Sequence, residues 1–378
     1  MKIAQVAPLF ESVPPQAYGG TERVVSYLTE ALVEAGHDVT LFASGDSVTT
    51  ADLVAVCERS LRTDPHRPDW TAWHMVMVDE VFERAAEFDV IHFHIDTLHY
   101  PLARRCPAVA CLTTLHGRLD LPALQPLHRH FAGHPLVSIS RHQRNSLPGA
   151  SFMGTVHHGL PPGLFDFNPR PRDYFAFLGR ISPEKRLDRA IEIAVACGTP
   201  LKVGAKVDDA DRDYFERTIE PLLSHPLVEY LGEVGDVDKK VLLGGARALL
   251  FPIDWPEPFG LVLIEALASG TPVVAYGHGS VPELIDDGVT GFIVHDQAQA
   301  IAAARRVHEV DRARCRQAFE QRFTSARMAQ QYVALYEQLS AGARRAARRA
   351  PIPVPAAPDG PAVAAGAGAA GRQAETER

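Results

Sequence analysis

From residue 2 to about residue 340 the chain alternates short apolar runs with amphipathic helical segments, a pattern that specifies parallel α/β sheets with helices on both faces. KIAQVA (2–7), DVTLFA (38–43), DVIHFH (89–94), AVACLTT (108–114), PLVSIS (135–140) and FMGTVHH (152–158) read as strands. Between the first two, TERVVSYLTEALVEAGH places Val24, Val25, Leu28, Ala31, Leu32 and Ala35 on one helical face, and Gly36 supplies the C-terminal stop. GLPPGLFDFNPRPRD (159–173), dense in proline and glycine, reads as a linker. The alternation then resumes, with YFAFLGR, PLKVGAK, VEYLGEV, ALLFPID and TPVVAYG as strands and helices near 185–197, 211–224, 237–246 and 259–268. Two doubly wound domains are therefore expected, and 378 residues suit two cores of about 150 residues each. Open sheets of this kind bind ligands at the carboxyl ends of their strands, so the cleft between the domains is where both present their loops.

Composition removes classes of function. No apolar run approaches the roughly 18 residues of a membrane span. MKIAQVAPLFESVPP is interrupted by polar residues and prolines, and reads as a first strand rather than a signal peptide. The five cysteines (Cys57, Cys106, Cys111, Cys197, Cys315) are odd in number and form no CxxC pair, which points to free thiols and a cytoplasmic protein. A net charge of -8 argues against nucleic-acid binding. From Ala341 the chain turns to Ala, Pro, Gly and Arg, and 341–378 reads as a disordered tail. Arg344, Arg345, Arg348 and Arg349 offer at most a weak contact with an anionic membrane surface.

Three constellations carry chemistry. In PLFESVPPQAYGGTERVV, Tyr18-Gly19-Gly20-Thr21 opens a helix, and paired glycines let backbone N–H groups approach an anion at its positive end, or merely shape a turn. In FLGRISPEKRLDRAIEIA, Arg180 and Lys185 gather where a strand ends and a helix begins, with Ser182 as N-cap and Pro183 at the first helical position. Two cations there suit a diphosphate, or form surface pairs with Glu184 or Asp188. In EPFGLVLIEALASG, Glu257 precedes an apolar helix and Glu265 lies inside it, while Phe259, Gly260, Leu261 and Val262 supply the free N–H groups of its first turn. An ionised carboxylate on so apolar a helix needs a partner. Carboxylates on both sides of a phosphate site suit a sugar nucleotide, with a sugar at one end and a ribose at the other. Among the seventeen histidines, His92 and His94 share a strand face, but no third ligand follows at metal-site spacing, and no metal is expected. His94 and Asp96, at a strand's carboxyl end, are acceptor-side candidates.

Glu257-x7-Glu265, the Gly19-Gly20 loop, Gly179-Arg180 with Lys185, and Leu115-His116-Gly117 together resemble, over roughly residues 1–340, the retaining glycosyltransferases of family 4 (glycosyl transferases group 1) with the GT-B fold. The resemblance implies two Rossmann-like domains facing a deep cleft: an acceptor-side domain over 1–160, a linker over 161–173, and a nucleotide-sugar domain over 174–322. A helix over 323–340 would cross back to the first domain. It further implies catalytic roles for His116, Glu257, Arg180 and Lys185. Arg180 and Lys185 would hold the donor diphosphate, Glu257 the sugar hydroxyls and Glu265 the ribose; His116 would face the anomeric centre. Gly19, Gly20 and the backbone of Phe259 to Val262 would contact the donor. The implied reaction moves a hexose from a nucleoside-diphosphate sugar to a small-molecule, lipid or glycan acceptor, without a metal or a tightly bound cofactor.

YGGTERVVSYLTEALVEAGHDVTLFASGDS and FPIDWPEPFG are also similar to a bacterial subgroup that includes pteridine glucosyltransferases, which implies UDP-glucose as donor. Many members carry Pro-Ser before the first Glu; this chain has Asp254-Trp255-Pro256, which either lines the donor pocket or shapes the loop. The alternatives on the same scaffold are an epimerase, a phosphorylase and an inactive sugar-nucleotide-binding module. An NAD enzyme fails on loop length and on the missing G-x-G-x-x-G.

Overall fold

The computed structural model describes residues 1–16, 19–66 and 68–349. It contains two sheets in which every pairing is parallel. The first is built from β1 (Lys2–Val6), β2 (Asp38–Ser44), β3 (Asp52–Cys57), β4 (Val90–Phe93), β5 (Cys111–Leu115), β6 (Leu136–Ser138) and β7 (Phe152–Thr155), in the order β3-β2-β1-β4-β5-β6-β7. The second is built from β8 (Phe175–Arg180), β9 (Leu201–Lys206), β10 (Val228–Gly232), β11 (Leu249–Phe251), β12 (Val273–Tyr276) and β13 (Gly291–Val294), in the order β10-β9-β8-β11-β12-β13. Central strands are covered on both faces, and β4, β5 and β11 are buried throughout, which is why they carry no Asp, Glu, Lys or Arg.

Strand order reverses between β1 and β4 in one sheet and between β8 and β11 in the other. A ligand crevice forms at such a reversal, outside the carboxyl ends of the strands. The segments that follow these four strands carry Gly19-Gly20, His94-Asp96, Lys185 and Glu257, and Arg180 is the last residue of β8.

The helix Ser325–Arg349 runs back over the first sheet: Tyr332 and Tyr336 are fully buried, Gln5 donates to the Tyr336 hydroxyl, and Ser340 Oγ donates to the carbonyl of Asp89 at 3.0 Å. Its length corrects one expectation. Residues 341–349, read as the start of a disordered tail, continue the helix; 350–378 lie outside the described residues, as does Tyr18. The helix expected over 211–224 is irregular, with a π-helical turn at Phe215–Ile219. Pro221 lacks the N–H that would bond four residues back, so an unbroken α-helix cannot pass through it.

Among the described residues, polar contacts join the two sheets' domains across the cleft at two places. Arg23, in the first turn of the helix Gly20–Glu34, donates to Asp236 at 2.8 Å, in the first turn of the helix Asp236–Gly245. Glu283 accepts from the backbone N–H groups of Arg141 and His142, each at 2.8 Å, and lies 3.2 Å from His157 Nε2. Among the described residues no helix is long and apolar enough to cross a membrane, and the five cysteines are unpaired.

Candidate active site

The helix Leu261–Ala268 begins after Gly260 with no side chain capping it; Leu263 N–H donates to the Gly260 carbonyl at 3.0 Å, and the N–H groups before it have no side-chain acceptor. Phe259 is buried and Leu261 and Val262 are half-buried around that start. Glu257, 8% exposed, sits just upstream, where Lys185 donates to its Oε2 and the Trp255 indole N–H donates to the same oxygen at 3.0 Å. The Lys185 ammonium also lies 5.0 Å from the Trp255 ring centroid and 5.6 Å from that of Phe251. A cation on two aromatic faces and a carboxylate is fixed in place, where a free lysine would sample many rotamers.

Lys185 does not open a helix, contrary to the capping pattern read at Ser182 and Pro183. The helix starts at Leu187, preceded by Arg186 in the left-handed conformation (φ 53). A left-handed residue without glycine is sparsely populated and persists only where its surroundings hold it. Here Arg186 forks onto Asp188 and also reaches Asp254 at 2.9 Å, Arg189 reaches Asp254 at 3.1 Å, and the Asp254 N–H donates to the Glu184 carbonyl at 2.8 Å. Asp254 and Trp255, the departure from the Pro-Ser pattern, therefore lock the Lys185 turn to the Glu257 loop.

Glu265 is 4% exposed, and its partner is a residue the sequence reading passed over: Lys239 donates to its Oε1 at 2.8 Å. Burial alone would lower the Lys239 ammonium, but Glu265 beside it holds it above its ordinary value, with a further favourable contribution from Asp236 at 3.6 Å. The charge inside the apolar helix is thus met by the protein before any ligand arrives. Asp236 continues the chain to Arg23 across the cleft.

Gly20 stands at the start of the helix Gly20–Glu34, where a Cβ would lie 3.8 Å from Leu261 Cδ1; at Gly19 a Cβ would press to 2.7 Å from Pro15. Two helix N-termini from different sheets therefore converge. Arg180 lies among carboxylates: it pairs with Glu184, and its guanidinium is 3.6 Å from both Asp208 and Asp211. Among the described residues no group of three or more His, Cys, Asp or Glu side chains could hold a metal ion.

The Glycosyl transferases group 1 model matches residues 166–322, and the Glycosyltransferase Family 4 model matches residues 18–191. The glycogen synthase of Mycobacterium tuberculosis is 26% identical over 423 aligned residues, 92% of this chain and 97% of that protein. Among solved structures, AviGT4, a glycosyltransferase involved in avilamycin A biosynthesis, is 26% identical with a TM-score of 0.69, over 90% of this chain and 98% of that one. HepE of Anabaena, 17% identical, shares the fold with a TM-score of 0.68 over 89% and 100% of the two chains. The chain belongs to the group 1 glycosyltransferases. Its two parallel sheets are the GT-B fold.

In this group 1 glycosyltransferase His116 follows β5, and its Nε2 lies 2.8 Å from His94 Nδ1. The His116 ring stacks on His158 at 5.3 Å between centroids, and His158 packs on Phe259 at 4.6 Å, so the imidazoles bridge the first sheet to the segment that precedes the helix Leu261–Ala268. His94, read as acceptor-side, is only 3% exposed and both its ring nitrogens are engaged, so it lies behind His116 rather than in the cleft. Asp96 is exposed, on a left-handed backbone (φ 56).

The sequence reading missed Lys239, His158 and the Gly279-Ser280 turn. Gly279 (φ 61) lies so close beneath the Glu257 loop that a Cβ would meet Glu257 N and O at 2.3 Å, and the Ser280 N–H donates to the Glu257 carbonyl at 3.0 Å. The GHGS run after the TPVVAYG strand was the available signal, since glycines at a strand's carboxyl end mark a close approach.

The imidazoles also govern acid stability in this transferase. Burial pushes His92, His94, His116 and His158 below the ordinary 6.5, His116 to about 3, and neighbouring imidazoles add to the effect at the other three. As pH falls below 6.5 the unfolded chain takes up protons that the folded chain refuses, so stability is complete above that value and is lost toward about 3. The melting temperature is expected to fall steadily from about pH 7 to about pH 5, each such histidine contributing up to ~1.4 kcal/mol per pH unit. A flat melting curve over that range would show that the rings ionise in place.

Proposed function

We propose that this glycosyltransferase moves a hexose from a nucleoside-diphosphate sugar, with retention at the anomeric carbon, to an acceptor held by loops of the first domain, UDP-glucose being the first donor to test. The observation that carries the reading is the uncapped start of Leu261–Ala268, flanked by Glu257 and Glu265, with Lys185 bonded to Glu257 and the N-terminus of Gly20–Glu34 converging on it. Two positive helix ends and a lysine suit a diphosphate; the flanking carboxylates suit sugar and ribose hydroxyls on either side of it. HepE of Anabaena, which shares the fold, was solved in complex with UDP and glucose, and this supports the donor class.

In the proposed reaction the bond from the anomeric carbon to the diphosphate oxygen breaks, and the leaving phosphate carries the charge. The acceptor oxygen bonds to the same face of the oxocarbenium-like sugar, and its proton passes to the leaving phosphate. Lys185 and the helix ends neutralise the developing charge, the role a metal fills in other transferases. Arg180 joins them once the donor phosphate displaces Glu184, Asp208 and Asp211 from its guanidinium. Five unpaired cysteines support a cytoplasmic enzyme.

A thermal-shift series with UDP, GDP and ADP and their sugars tests the reading. One nucleotide should raise the melting temperature, by about 2.7 kcal/mol of added stability at a hundredfold excess over its Kd. No stabilisation by any of them, together with no donor hydrolysis or transfer, would sink it.

A further inference from the structure

His116 holds an unexplained atom. Its Nδ1 is buried and has no hydrogen-bond partner. A buried acceptor or donor in that condition is uncommon and destabilising until a partner arrives. Which of the two it is follows from the residues behind it.

His94 Nε2 lies 2.8 Å from Gln5 Oε1, an oxygen that only accepts. The Gln5 amide is oriented by its other end, whose Nε2 donates to the Tyr336 hydroxyl at 3.1 Å. That hydroxyl accepts through its own lone pairs and also lies 2.7 Å from His92 Nδ1, and His92 Nε2 in turn meets Thr114 Oγ1 at 2.7 Å. His94 therefore carries its proton on Nε2. Burial keeps the ring neutral, so its Nδ1 is a lone pair. That lone pair accepts from His116 Nε2 at 2.8 Å, which places the His116 proton on Nε2 and leaves Nδ1 bare. Reversing the Gln5 amide would reverse every proton along the chain, so the tautomer of His116 reports the whole relay.

We propose that Gln5 and His94 are positioning residues that hold His116 as its Nε2–H tautomer, so that the buried Nδ1 lone pair takes a hydroxyl proton of the transferred sugar. The sugar contact rests on the glycosyltransferase reading; the relay does not. An imidazole lone pair refuses a carbonyl and takes an O–H donor, and a hexose presents several. The atom lies beyond the carboxyl end of β5, beside His158 and the Phe259 that opens the donor-side helix, and the Tyr336 that orients Gln5 comes from the helix returning from the second domain.

Two-bond nitrogen-15 NMR of the histidine-labelled full chain reads tautomers without turnover. The free protein should show His116 protonated on Nε2, and its Nδ1 signal should move with one of UDP-glucose, GDP-mannose or ADP-glucose but not with the matching nucleoside diphosphate. Gln5→Leu should mix the tautomers and raise the donor KM about tenfold at unchanged nucleoside-diphosphate affinity, the loss of one neutral hydrogen bond. Gln5→Glu, which keeps an acceptor toward His94, should retain the tautomer. His116 protonated on Nδ1, or Gln5→Leu without effect on either readout, in a protein that still transfers sugar overturns the relay alone. The stated tautomer with an unresponsive Nδ1 and no turnover overturns the glycosyl-transfer reading, and the sugar contact with it.

Discussion

Glu257→Gln is expected to lower kcat for sugar transfer about a thousandfold, the scale of losing one preorganised charge where a transition state develops the opposite one. The substitution is close to isosteric, and it keeps an oxygen for the Trp255 indole, so the fold should survive. What it removes is the carboxylate that fixes Lys185. Because the sugar gains positive charge only as the diphosphate leaves, kcat and kcat/KM should fall together. Affinity for the nucleoside diphosphate should hold or tighten, since Lys185 then faces a neutral amide oxygen in place of a charged internal partner. Single-turnover kinetics on a variant with an unchanged melting temperature measure this; turnover within about tenfold of the parent would remove Glu257 from the reacting centre.

Lys239→Met is expected to be the most destabilising single change in the cleft. It leaves Glu265, whose side chain is 5% exposed, as an uncompensated buried charge. Breaking one side of a buried pair costs about 3–5 kcal/mol, whereas replacing both partners by apolar residues is often neutral. The melting temperature should therefore drop by roughly ten degrees in Lys239→Met and recover in the Lys239→Met, Glu265→Leu double variant. Donor binding should not recover, because the double variant lacks the carboxylate assigned to the ribose. Melting curves and nucleotide titrations on the same three proteins separate the two roles. A single variant that melts with the parent would mean that Glu265 is not held by Lys239.

The central strands, buried on both faces, were legible as apolar runs, and so were the less buried edge strands β7 and β10. β3 (DLVAVC), at the sheet's edge, and β13 (GFIV), only four residues long, were passed over although both are apolar runs. In the site, Glu257 and Lys185 were legible because each stands just past a strand that reads clearly. The partner of Glu265 was not: Lys239 sits on an adjacent helix with Lys240 beside it, and nothing local distinguishes the lysine that turns inward from the one that does not. His158 was hidden in the same way, beside His157 at the end of a strand-like run.

By itself the sequence determined the periodicities, hence two parallel sheets, and the order in which glycine, cation, histidine and carboxylate motifs follow the strands. Those are properties of neighbours along the chain, set by hydrophobic patterning and turn chemistry. Only the tertiary structure decided which charges meet. Arg23 and Asp236 are 213 residues apart, Lys185 and Glu257 are 72 apart, and Gln5 and Tyr336 are 331 apart. Each pair exists because packing brings two strand ends or helix starts together in a place that water leaves. There an unmatched charge or ring nitrogen is costly, and its partner is set by geometry rather than by spacing in sequence.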